Sequence, residues 1–294
     1  MFDPRPLRQP RTTTPSRDDP PGGILLTLDG ANTDLNAVDW ATAEAAARGT
    51  RLRIVQAIPL LSVVFDPWLL ATGGQGAEAS YAEALDALAA TAQRAHDHEP
   101  HLAISTHMNT FGPDSAPGAA IGDTALVVAG RRLGPGRAPS PMAMWTAKRL
   151  QSAMVVVRLA DAPPSPRSAL RATGRVVVAL DPRDQPDGVL EVAFRAALHR
   201  GAGLTVLHTW DVGGPGPDLL ADILQPYLAT FPEVDVRGRL VRTPLAASVA
   251  KESLRAALVV VGPRLQGPPH ASSRATRRQI IGGAGAPVVI VPGG

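Results

Sequence analysis

Three groups of residues in this 294-residue chain have types and spacings that could do chemistry. His96-x-His98-x-x-His101 offers three imidazoles to a metal ion. On a helix, however, positions i and i+2 point to different faces, and Pro100 interrupts the segment before His101, so the run reads as a polar helix end. Gly134-x-Gly136 looks like part of a dinucleotide fingerprint, but no third glycine stands in register and the pair does not follow a first strand. Asp29 and Asp181 each close an apolar run, where an aspartate can accept a phosphoryl group. No acidic cluster accompanies either one, and Lys148 and Lys251, the two lysines, do not end strands. An aspartate before Gly30 or Pro182 also serves as a turn or helix cap.

Other catalytic frameworks are missing. The chain has no Gly-x-x-x-x-Gly-Lys-Ser/Thr loop, no Gly-x-Ser-x-Gly elbow and no cysteine. No nucleophile–base pair can be assembled, so neither enzymatic turnover nor a bound metal is expected. The net charge of +3 comes from scattered arginines interleaved with acids, and only 4% of residues are aromatic, which argues against nucleic acid as a partner. The apolar runs are strand-sized, too short to cross a membrane, and Met1 to Gly23 holds none. A cytoplasmic location is the expectation.

The aspartates belong to a longer echo. Residues 25–58 recur in pattern at 177–210 with a constant offset of 152, since 181 − 29 and 201 − 49 both equal 152. Each copy has a short apolar strand ending in Asp, a helix stopping at Arg-Gly, and a second strand. In the first copy the spacing predicts strands over 23–28, 52–58, 102–108, 125–129 and 154–159. Helices are predicted over 33–48 and 79–97, with Leu35, Val38, Ala41 and Ala45 on the apolar face of the first. A third is predicted over 143–151. The second copy predicts strands over 175–180, 204–209, 234–241, 257–261 and 287–291, with helices over 187–199, 218–229, 245–254 and 271–281.

Apolar strands alternating with helices give two doubly wound α/β domains, each a parallel five-stranded sheet with helices on both faces. The divisions are a disordered tail at 1–22, domains at 23–159 and 175–294, and a linker at 160–174. Ligands are expected at the carboxyl ends of the strands, where the segments after Asp29 and Gly130, and after Asp181 and Gly262, should meet. The long 59–76 connection, with Phe65 and Trp68, either covers its own cleft or meets a partner.

Strands closed by Asp, Arg-Gly-x-x-Leu, the repeated Ala-Leu-Val-Val-(Ala/Val)-Gly and the final Ala-Pro-Val-Val-Ile-Val-Pro are similar to the universal stress protein family, in a tandem form of actinobacterial kind. The resemblance covers residues 23–159 and 175–293. It implies an adenine-nucleotide alpha-hydrolase-like (Rossmann-like) fold, pairing of the two domains through their last strands, a possible homodimer, and a regulatory or protective stress role. ATP-binding members carry Gly-x-x-Gly, nine residues, then Gly-Ser/Thr after the fourth strand. Those glycines let backbone amides approach phosphate oxygens at a helix N-terminus.

This chain departs from that pattern twice. The first copy reads Gly130-Arg131-Arg132-Leu133-Gly134, and no glycine occurs between Gly136 and Gly174. The second reads Gly262-Pro263-Arg264-Leu265 with Gly267 following, and Arg274-Ala275 stands where Gly-Ser would. Pro263, Pro268 and Pro269 also remove amide donors. By the same resemblance Asp29 and Asp181 match the aspartate near adenosine, and Ala57 and Thr209 fall where the second strand meets the base. The expectation is a degenerate site that binds ATP or another adenosine nucleotide weakly or not at all. The alternative is a working nucleotide sensor or weak ATPase in which Arg131, Arg132 and Arg264 replace the missing glycines.

Overall fold

Strand β1 (Gly23–Asp29) is buried through Leu28, and its alternate residues serve two layers. Ile24, Leu26 and Leu28 pack with α1 (Leu35–Ala47) and α2 (Gln75–His98). Leu25 faces the opposite layer. Both faces are covered, so the strand reads as a continuous apolar run. The structure is a computed structural model that describes residues 22–29, 35–59, 75–111, 124–130, 143–144, 147, 152–157, 174–180, 187–209, 217–241, 244–262 and 273–292. The linker, the tail and the body of the 59–76 connection lie outside the described residues.

The first copy continues with β2 (Leu52–Pro59), β3 (Ile104–Phe111), β4 (Thr124–Gly130) and β5 (Ala153–Val157). The second has β6 (Val176–Leu180), α3 (Asp187–Arg200), β7 (Leu204–Thr209), α4 (Pro217–Thr230), β8 (Val236–Val241), α5 (Leu245–Ser253), β9 (Leu258–Val261), α6 (Ser273–Gly283) and β10 (Val288–Ile290). The strand order is β3-β2-β1-β4-β5-β10-β9-β6-β7-β8, one ten-stranded sheet. Pairing within each half is parallel, and β5 meets β10 antiparallel. Val155 pairs Val289 and Val156 pairs Val288. Aligning Ala153 with Ala286 gives an offset of 133, which carries Val155 to Val288 and Val156 to Val289. Each contact therefore recurs with its members exchanged, the signature of a two-fold axis between like surfaces.

Going from β1 to β3 the chain steps outward, and β4 then returns to the other side of β1. Right-handed crossovers place the helices of these two excursions on opposite faces. One face carries α1, α2, α3 and α4, with Phe194 stacked against Tyr227 and Phe231 at 5.4 Å each. The other carries α5, α6 and the helical positions Ala143 and Ala147.

Several boundaries differ from the sequence reading. Strand β3 runs on to Phe111 because β2 offers it partners as far as Pro59. The edge strand β8 starts at Val236, and Arg237, Gly238, Arg239 and Leu240 on it are exposed. Arginines there discourage pairing with another chain. The face of α1 is a correction. Leu35, expected inside, is exposed, whereas Asn36 through Ala45 are all buried, Asp39 and Glu44 included. The helix lies between two neighbours, so its polar side is covered as well.

Both first helices end in the same device. Gly49 has φ +60° and Gly201 φ +56°, the left-handed region that favours glycine. The amide of Thr50 donates to Ala45 O and that of Gly49 to Ala46 O; Ala202 and Gly201 repeat this with Ala197 and Leu198. These are paired Schellman caps. At the amino end of the second half, Arg175 donates to Thr205 Oγ1 (2.9 Å), Leu204 O (2.7 Å) and Asp235 Oδ2 (2.5 Å). The hydrogen bond from Arg175 holds the Asp235 carboxyl below the ordinary aspartate range.

Two outcomes follow. Gly49→Ala and Gly201→Ala, with nothing within 4 Å of the added Cβ, each destabilise the fold by about 1 kcal/mol through backbone strain alone, read by urea unfolding. Because the folded carboxyl is the more acidic one, Asp235 stabilises above its unfolded-state pKa, and that contribution disappears as pH falls through the folded value. Asp235→Asn is therefore less stable than wild type at neutral pH, and the two unfolding curves converge in acid below the ordinary aspartate range.

Candidate functional site

Each half has a topological switch point where β1 lies between β2 and β4, and β6 between β7 and β9. At the first, Asp29 sits opposite Ala57. Thr27 sits opposite Ala129, so Gly130 follows one residue on at the end of β4. The structure thus brings the backbones of Asp29, Ala57 and Gly130 to one sheet end. At the second, Leu180 lies opposite His208 and Ala179 opposite Val261. Thr209 and Gly262 each come one residue later, at the matching end of the second half. Arg131, Arg132, Gly134, Asp181, Arg264 and Gly267 lie outside the described residues.

Just beneath the two floors are polar residues that the sequence reading did not single out as a pair. Gln56 and His208 occupy equivalent positions, 208 − 56 = 152, and both are completely buried. A polar residue recurring at the same position of both second strands was the available signal. Thr27 Oγ1 donates to Val128 O (3.2 Å), tying β1 to β4 directly under the first switch point.

The helices leading away from these floors are fixed by buried charge. Asp39 on α1, wholly buried, accepts from Arg94 Nε (2.6 Å) and Nη2 (2.7 Å) on α2. This two-pronged bond raises the Arg94 pKa further. His98 approaches the same carboxylate at 3.5 Å, while His96 and His101 are exposed. The three histidines accordingly do not converge. Among the described residues no group of three or more His, Cys, Asp or Glu could hold a metal ion.

The second buried carboxylate joins the two halves. Glu44 Oε1 accepts from Arg48 Nε (2.9 Å) and Nη2 (2.6 Å) on its own helix, and Oε2 accepts from Arg200 Nη2 (2.5 Å) on α3. Arg200 also donates to Ala196 O and lies 6.0 Å from the Trp40 ring centre. Burial is the main cause that lowers the Arg200 pKa; Glu44 opposes it and Arg48 adds to it.

Comparison with known proteins agrees with this geometry. The pattern of the Universal stress protein family matches residues 172–247. A universal stress protein of Mycobacterium tuberculosis is 25% identical over 308 aligned positions, covering 91% of this chain and 94% of the relative. One from Mycobacterium bovis matches to the same extent. The chain is similar to universal stress proteins along nearly its whole length. A crystal structure of a universal stress protein from Archaeoglobus fulgidus shares the fold with a TM-score of 0.62 at 14% identity, covering 92% of this chain and 98% of that one. As in the sequence reading, the fold is a Rossmann-like α/β one. No helix among the described residues is long and apolar enough to cross a membrane.

The Asp39–Arg94 pair bears on how α1 is held against α2. Arg94→Ala leaves a buried carboxylate with only His98 nearby. It is expected to lower stability by about 3 kcal/mol in urea unfolding, whereas Arg94→Ala combined with Asp39→Asn loses much less.

Proposed function

We propose that this tandem universal stress protein is a regulatory, non-catalytic stress-response protein. Its two clefts take the adenosine part of a nucleotide but do not cradle the phosphates. The observation that carries this is the matched defect at the ends of β4 and β9. The sequence after Gly130 and after Gly262 has leucine at the second glycine position, and neither stretch goes on to Gly-Ser/Thr. A phosphate cradle needs glycines where backbone amides approach oxygens, and prolines at 263, 268 and 269 withdraw three more donors. The backbone register that brings Asp29, Ala57 and Gly130 to one sheet end supports the adenosine side, since aspartate is a residue type that accepts hydrogen bonds from sugar hydroxyls.

Isothermal calorimetry on nucleotide-free protein tests this reading. ATP is expected to bind no tighter than adenosine, both weaker than about 100 µM. Asp29→Ala combined with Asp181→Ala weakens adenosine a further tenfold or so, the value of one charge-assisted hydrogen bond. Micromolar ATP binding that disappears in an Arg131→Ala, Arg132→Ala, Arg264→Ala triple variant would instead establish a working nucleotide sensor with arginines in place of the glycines.

A further inference from the structure

The seam between the halves contains a cavity away from the two switch points. A cavity of about 110 Å³ lies between α1 and α3, bounded by Leu126 and Leu258 below and by Arg48, Val192 and Ala196 at its sides. Its origin is an asymmetry between the copies. The 152-residue offset carries Arg48 to Arg200, but Trp40 to Val192 and Glu44 to Ala196. Two large side chains of the first copy thus face two small ones of the second, and the space they leave is the cavity.

Charge follows the same asymmetry. Two arginines related by the two-fold axis share a single carboxylate, because Ala196 stands where the second glutamate would be. Glu44 is 2% exposed and Arg200 5%, so that pair sits in a region of low dielectric, with the second arginine at its partly solvated edge. Arg48, 27% exposed, uses Nε and Nη2 on Glu44 and leaves Nη1 for another acceptor. Arg195 and His199 also line the opening, and Arg195 is already paired with Glu191 at 2.8 Å. The cluster of Glu44, Arg48 and Arg200 therefore keeps a net charge of +1, shown as two arginines less one glutamate.

We propose that this cavity binds a small oxyanion, a phosphate or a carboxylate, which occupies the place of the missing second glutamate and is held by Arg48. The volume admits an ion of that size together with water. Occupation gives each arginine its own anionic partner and ties α1 to α3 across the seam.

Thermal unfolding of the full chain, with sodium phosphate and sodium acetate each compared against sodium chloride at matched ionic strength, tests the proposal. A saturable rise of about 3 °C with a midpoint in the millimolar range is expected. A rise with phosphate only identifies a phosphate-type ligand, and one with acetate only a carboxylate. Ala196→Glu supplies the carboxylate from the chain itself and should abolish the increment; Arg48→Gln should abolish it by removing the donor. An increment that persists in either folded variant, or wild-type unfolding that follows ionic strength alone, overturns the proposal.

Discussion

The antiparallel contact of β5 with β10 is the constraint on which the rest of the molecule depends. Each half alone would end in a short apolar strand with an open row of amides and carbonyls, a template for aggregation. Pairing the two edges closes both in the middle of one sheet. The exchange-symmetric register then fixes where every other element lies. It sets α1 beside α3 on one face, and it carries the two switch points away from the seam, one in each half.

Placing α1 beside α3 determines what α1 must tolerate. The helix is flanked by α2 on one side and α3 on the other, so its polar residues are enclosed rather than solvated. Asp39 and Glu44 become buried carboxylates, and each is matched by arginine from a neighbouring element. Buried pairs of this kind seldom add much net stability relative to apolar packing. They do penalise any arrangement that separates the partners, so Arg200 on Glu44 specifies how the two halves dock. At the 152-residue offset the arginine stands on both sides, Arg48 and Arg200, and the glutamate on one, Glu44 against Ala196.

Much of the fold was legible because it rests on local signals repeated twice. Apolar runs of strand length, Arg-Gly at helix ends and the 152-residue offset all reflect short-range requirements, and the φ values of Gly49 and Gly201 bear out the cap reading. The inside of α1 was not legible. Periodicity pointed to Leu35 as buried, yet Leu35 is exposed while Asp39 is not. The partners that cover Asp39 and Glu44 lie 55 and 156 positions away in sequence, and no local pattern encodes such distances. The candidate clefts show the same division. Strand order and register place Asp29, Ala57, Gly130, Thr209 and Gly262 at the sheet ends. The residues that follow Gly130 and Gly262 lie outside the described residues, and what they offer a phosphate is read from the sequence alone.

In the proposed function the two switch points take adenosine without cradling phosphate. The most direct measurement is a crystal structure of the chain grown with excess ATP, inspected at the ends of β1 and β4 and of β6 and β9. Empty strand ends, or density for an adenosine moiety with no ordered triphosphate, are expected. A triphosphate held in order by the backbone amides of the loops after Gly130 or Gly262 would contradict the proposed function.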